Sequence, residues 1–182
     1  RHAGVTLEAM QMGAFDFVAK PEIDIARGLA ESGQDIIEKV KAASQANVSH
    51  LATLAHARIP LAAPKISSYR TTDQLIAIGA STGGTEAIRV VLQGMPADSP
   101  GIVIVQHIPG MFSSSFAERL NSLCCVTVKE AEDGDRILSG HVYIAPGEKH
   151  LSVVRDGAQY RCRVSDEDPV NRHRPSVDVL FH

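Results

Sequence analysis

From position 75 onward the chain alternates apolar runs with amphipathic stretches. Leu75-Ile76-Ala77-Ile78 is a continuous apolar run with the length of a buried strand, and Thr85–Leu92 carries helical spacing. Ile102-Val103-Ile104-Val105 predicts a second strand, Ser114–Leu123 a second helix and Val126-Thr127-Val128 a third strand. Strands alternating with helices imply a parallel sheet with right-handed crossovers. After Gly140 the texture changes. His141–Ile144 predicts a strand stopped by Ala145-Pro146-Gly147, and Leu151–Val154 and Tyr160–Val164 flank the hairpin signal Asp156-Gly157. Pro175–Phe181 predicts a helix start. The fold class expected is α/β: a doubly wound, mainly parallel, Rossmann-like sheet with a β-hairpin excursion.

The first part of the chain is patterned differently. Leu7–Met12 predicts a short helix end closed by Gly13, and Phe15–Ala19 a short strand cut off by Lys20-Pro21. Residues 23–43 place Ile25, Leu29, Ile36, Ile37 and Val40 at roughly helical spacing. Two helical pieces and one strand cannot enclose a core, so this part is a remnant of a larger domain or packs on the rest of the chain. Residues 44–72 are rich in Ala, Ser, Asn, Pro and Thr, with Pro60 and Pro64 as breakers, and read as an interdomain linker, partly helical near His50–Arg58. The expected division is 1–43, 44–72 and 73–182.

Composition narrows the setting. The 182 residues are 44% hydrophobic and 21% charged, an ordinary soluble globular balance. A formal net charge of −3 gives no pull toward nucleic acid or anionic lipid. Cys124-Cys125 and the isolated Cys162 form neither a disulfide framework nor a zinc-binding spacing, which fits a reduced, cytoplasmic setting. No apolar run approaches the roughly 20 residues of a membrane span, and the N-terminus shows no export pattern.

The chemistry concentrates at Gly79-Ala80-Ser81-Thr82-Gly83-Gly84. A strand, a tight glycine turn and a helix are the context that a G-x-S-x-G nucleophile elbow requires. Small residues let the backbone turn sharply and hold the Ser81 hydroxyl clear of the sheet, and the helix after the turn aims its first N–H groups at an oxyanion. The same stretch also suits a turn that binds an anion or nucleotide without reaction. Neither the lysine of a P-loop nor G-x-G-x-x-G is present.

In a parallel sheet, functional groups gather at the C-terminal strand ends. Ser81 follows the first of these strands and His107 the second. Neighbouring strand tips lie about 5 Å apart, so a hydrogen bond between the two side chains is natural if the strands pair. A serine hydroxyl needs a base, and an imidazole titrating near neutrality suits that task. Alone, His107 would read as a capping histidine. A third group should orient the ring. Asp133, Asp135 and Asp178 are the carboxylates in range, although 130–135 also reads as an ordinary acidic turn. His141, His150, His173 and His182 lack ligand spacing, so neither a metal nor another cofactor is expected. Arg172-His173-Arg174 is a compact basic cluster, either a solvated turn or a contact for an acidic partner.

Taken together the segments resemble the chemotaxis protein-glutamate methylesterases, the CheB family. The resemblance rests on Ile76–Ala87, Gln106–Pro109, Ser115–Asn121, Val142–Gly147 and Asn171–Phe181, in that order. Gly13–Pro21 is similar to the last strand of a response-regulator receiver domain, with Lys20 matching the lysine that contacts the phosphoryl group. The resemblance implies a serine-type hydrolase that removes methyl esters from glutamate side chains of chemoreceptors and deamidates receptor glutamines. Ser81 would be the nucleophile and His107 the base, with Thr82 and Gly83 N–H groups as oxyanion donors assigned from geometry. The partners implied are methyl-accepting chemoreceptors as substrate and a chemotaxis histidine kinase as phosphodonor, with no nucleic acid and no membrane insertion. Three departures stand out. The family's orienting aspartate lies in a later Gly-Met-Gly-x-Asp-Gly-type segment absent from this chain, the family's closing strands and helices are absent as well, and Gly110-Met111 replaces the usual Pro-Gly. A fragment truncated at both ends, weak or inactive by itself, is therefore expected. The competing readings are an anion- or nucleotide-binding α/β module and a catalytically silent receiver-linked scaffold.

Overall fold

Strands β1 (Leu75–Ala80), β2 (Gly101–Gln106), β3 (Thr127–Glu130) and β4 (His141–Ile144) form an all-parallel sheet in the order β1-β2-β4-β3. The computed structural model describes residues 5–6, 9–10, 12, 14–18, 25–46 and 74–182, and the chain divides into two compact units, Arg1–Arg58 and Ile59–His182.

In the first unit, helix α1 (Ile25–Gln45) matches the expected periodicity and runs slightly past residue 43. Val5, Thr6, Ala9 and Met10 are helical. The strand expected at Phe15–Ala19 is not formed: residues 14–18 carry no regular secondary structure. A strand is made by its ladder partner, and none of the described residues pairs with this one. Lys39 of α1 instead donates to the Phe17 carbonyl at 2.8 Å, and its ammonium lies 5.6 Å from the Phe17 ring centroid. Lys20 and His50–Arg58 fall outside the described residues, as do residues 44–72 apart from 44–46.

In the second unit, β1 leads through a glycine turn into helix α2 (Gly84–Gln93), and β2 into helix α3 (Gly110–Leu123). Helix α3 starts four residues earlier than its pattern predicts. Pro109 supplies a backbone φ of −62° at the cap, and Ser113 Oγ donates to the Gly110 carbonyl while accepting from Gly147 N–H. Gly110 and Ser113, both weak helix formers, hid that first turn. The third strand sits at 127–130 rather than 126–128, with Val126 still buried.

Strict alternation along β2 sends its residues to two faces. Val103 and Val105 join Tyr143, Ala145, Leu151, Cys162 and Leu180 in one core cluster. Ile102 and Ile104, with no exposed surface, face the side packed with α2 and α3, whose Ile88, Leu92, Phe112, Phe116 and Leu120 are buried. The Val103 side is covered by the hairpin β5 (His150–Asp156) and β6 (Gln159–Ser165) and by the short helix α4 (Val177–Phe181). Asp156 pairs with Gln159, so the two-residue loop is Gly157-Ala158 rather than Asp156-Gly157, with Gly157 at φ 61° in its first position. Burial in this cluster pushes the Cys162 thiol up to about 12, so it stays neutral.

The connection from β3 to β4 contains no helix. Residues 131–140 instead run beside β6, with Cys162 N–H donating to Asp135 O, Gly134 N–H to Cys162 O and Ile137 N–H to Tyr160 O. The hairpin thus satisfies part of this crossover, and turns such as Asp135 N–H to Glu132 O satisfy the rest.

His150 fastens the hairpin to the loop beyond it. It is 1% exposed; Nδ1 accepts from Ser176 N–H at 3.2 Å, so Nε2 carries the proton donated to Asp168 O at 3.0 Å. His150→Leu comes close to the same volume and removes both bonds. A destabilisation of about 1–3 kcal/mol is expected in urea unfolding of the full-length protein. An unchanged midpoint would show that neither bond matters.

Candidate active site

Strands β1 and β2 pair in parallel with Gly79 opposite Val105 and Ala80 opposite Gln106. The ladder continues one step beyond, because His107 N–H donates to Ala80 O at 3.2 Å. Ser81 and His107 therefore leave the sheet side by side. Ser81 Oγ lies 3.0 Å from His107 Nδ1. The other ring nitrogen, Nε2, is turned into the protein and buried.

The turn after Ser81 is built by its glycines. Gly84 N–H donates to Ser81 O at 2.7 Å, and Gly83 at the third position adopts φ 75° and ψ −3°, the left-handed conformation of a type II turn. With the Gly84 N–H spent on that turn, the Thr82 and Gly83 N–H groups have no acceptor among the described residues. Helix α2 begins immediately after, bringing the positive end of its dipole close to the Ser81 hydroxyl.

Gln106 ties the two strand tips together. It is 5% exposed, and its Nε2 donates to the carbonyls of Ser81 at 3.0 Å and His107 at 3.1 Å. Only an amide nitrogen can serve two carbonyls, so the orientation of the side chain is settled. The Gln106 Oε1 end lies against Gly84, where a β-carbon would come within 2.0 Å of it. In the sequence Gln106 stands out only as part of a motif. The available signal is a polar residue closing an otherwise apolar strand.

The candidate carboxylates are employed elsewhere. Asp133 Oδ1 accepts from Val164 N–H, and Asp135 accepts from Glu132 N–H and pairs with Lys129 at 2.9 Å. Both follow β3, which β4 separates from β2, so they start roughly 10 Å from the tip that carries His107. Asp178 Oδ2 accepts from Asn171 Nδ2 at 2.7 Å. Lys129, with Asp135 and then Glu132 beside it, is held above its ordinary value.

The basic cluster divides. Arg174 Nη1 donates to the carbonyls of Asp166 and Glu167, and Arg172 is exposed. His173 lies over His107, with ring centroids 3.9 Å apart and planes at 11°. Among the described residues no cluster of His, Cys, Asp and Glu could hold a metal ion, and no helix is long and apolar enough to cross a membrane.

A serine hydroxyl and an imidazole joined on neighbouring parallel strand tips, at the start of a helix, is the arrangement of the serine-nucleophile α/β proteins. The chain belongs to the CheB methylesterase family, which residues 76–182 match. It is 54% identical, over its whole length, to protein-glutamate methylesterase/protein-glutamine glutaminase 1 of Xanthomonas euvesicatoria pv. vesicatoria. It is also 54% identical, over 98% of its length, to the protein-glutamate methylesterase/protein-glutamine glutaminase of Salmonella typhimurium. The chain spans about half the length of these curated relatives, 52% and 50%. Among solved structures it is similar to the Thermotoga maritima CheB methylesterase catalytic domain, with TM-score 0.58 and 38% identity, covering 61% of this chain and 59% of that one.

Proposed function

We propose that this chain carries the nucleophile and base of a protein-glutamate methylesterase that also deamidates glutamine side chains. The observation that carries the proposal is the 3.0 Å bond between Ser81 Oγ and His107 Nδ1. Ser81 Oγ attacks the γ-carbonyl of a methylated glutamate on a chemoreceptor while His107 Nδ1 takes the hydroxyl proton. The oxyanion forms beside the Thr82 and Gly83 N–H groups. Collapse breaks the bond to the methoxy oxygen, which leaves as methanol with the proton from His107. Water, deprotonated by His107, then attacks the acyl-serine and releases glutamate and free Ser81. A glutamine amide passes through the same acyl-serine and releases ammonia. Arg172 and its neighbours suit an acidic receptor segment, because an exposed cation beside the cleft favours negative charge.

Residues 1–43 are the end of a receiver domain in this proposal, residues 44–72 the linker, and 73–182 the esterase part. Lys20 belongs to the phosphoryl-binding end of the receiver, which a chemotaxis histidine kinase would phosphorylate in the cytoplasm. The test uses the full-length protein with a fluorophosphonate probe and, separately, with methyl-labelled receptor. The expected results are covalent mass on the peptide containing Ser81 and release of labelled methanol. Methanol release with Ser81 unmodified would overturn the assignment of the nucleophile. No methanol release would overturn the esterase reading.

A further inference from the structure

We infer that His173 is a positioning residue for His107: its ring is a fixed wall that holds the base's imidazole in the plane from which Nδ1 faces Ser81. The inference rests on Ser81 and His107 being the nucleophile and base of the proposed reaction.

The backbone of His107 is fixed by Ala80 and Gln106, but these contacts leave its side chain two torsions. An imidazole that swings about them loses its line to the hydroxyl. The parallel ring of His173, 3.9 Å away at 11°, closes off one side of that motion.

His173 is itself held by more than chance packing. Val170 and His173 exchange both backbone hydrogen bonds, at 3.0 and 3.2 Å, around Asn171 and Arg172. Those two central residues have φ of 51° and 66°. Positive φ at both is the type I′ geometry, in which glycine is usual at the second place. An arginine there is strained backbone, which persists only where its surroundings enforce it. The surroundings do so here. Asn171 is anchored to Asp178, Arg174 to the carbonyls of Asp166 and Glu167, and His150 grips Ser176 N–H just downstream. Four hydrogen bonds and a strained turn hold the segment that carries this ring, and the ring lies on the base.

The test compares His173→Ala and His173→Phe in the full-length protein. His173→Ala is expected to lower kcat for methanol release about 10- to 100-fold with KM within about two-fold, since a misaimed base slows chemistry rather than docking. Fluorophosphonate labelling of Ser81 should slow in parallel, a readout that involves no receptor. His173→Phe supplies a flat ring of similar size and should recover most of both rates. Full activity in the alanine variant, equal losses in both variants, or an effect confined to KM would each overturn the inference. A wild-type protein that labels at Ser81 but releases no methanol would instead overturn the esterase reading. In that case the labelling rates of the two variants still decide the role of His173.

Discussion

Ser81→Ala in the full-length protein is expected to lower kcat for methanol release by about 10⁴- to 10⁶-fold with little change in KM. The hydroxyl at the β1 tip is both exposed and bonded to an imidazole. Its loss removes the atom that would carry the acyl group and leaves the rest of the surface unchanged. His107→Ala should cost a comparable factor, and the double variant should be no slower than the worse single one. A nucleophile and its base act as one unit, so their contributions do not add. Methanol release that survives Ser81→Ala within ten-fold would remove Ser81 from the chemistry. Additive losses in the double variant would mean that the two residues work separately.

The second large effect is expected at Gly84. A β-carbon there would lie 2.0 Å from Gln106 Oε1 and 2.7 Å from Ala80 Cβ. Gln106 is not a loose end that can swing away. Its amide nitrogen is committed to the carbonyls of Ser81 and His107, and its side chain is buried. Gly84→Val must therefore displace the residue that joins the two strand tips. Overpacking of this kind costs about 1–3 kcal/mol of stability. Movement of the two tips by even an ångström should lower kcat about 10- to 100-fold. A double-mutant cycle isolates the contact: Gly84→Ala should cost less in a Gln106→Ala background, where only the approach to Ala80 Cβ remains, than in the wild type. Equal costs in both backgrounds would show that the clash is not with Gln106.

The central sheet was legible because its strands announce themselves. Each of β1 and β2 is a short apolar run with glycine or proline at one end, and the helix between them is amphipathic. The pairing of Ser81 with His107 was legible for the same reason: parallel neighbours end at one rim, so two polar residues placed just past two strands must meet there. What stayed hidden was contact between segments far apart in the chain. Nothing in Asn171–Pro175 says that its histidine folds back over a base more than sixty positions earlier. Gln106 was hidden because a single amide has many uses, and its two acceptors are backbone atoms with no sequence signature. Phe15–Ala19 failed in the opposite way. Its local pattern favours extension, yet a ladder is a property of two segments, and no described strand lies beside it. Distance along the chain favours the aspartates after β3, but it takes no account of β4 coming between β2 and β3.

That inserted strand also governs the order of assembly. β4 is made after β2 and β3, yet among the described residues it is the strand that joins the one to the other. Until it slots in, Thr127–Glu130 has no strand to pair with among the described residues, and that half of the described sheet cannot form. In a pulse-labelling experiment on the refolding chain, amide protons of β3 should gain protection together with those of β4, never ahead of them. β1 and β2 are free to zip up beforehand. The rim that holds the serine and the histidine can thus mature on a half-built molecule, before its far edge has closed.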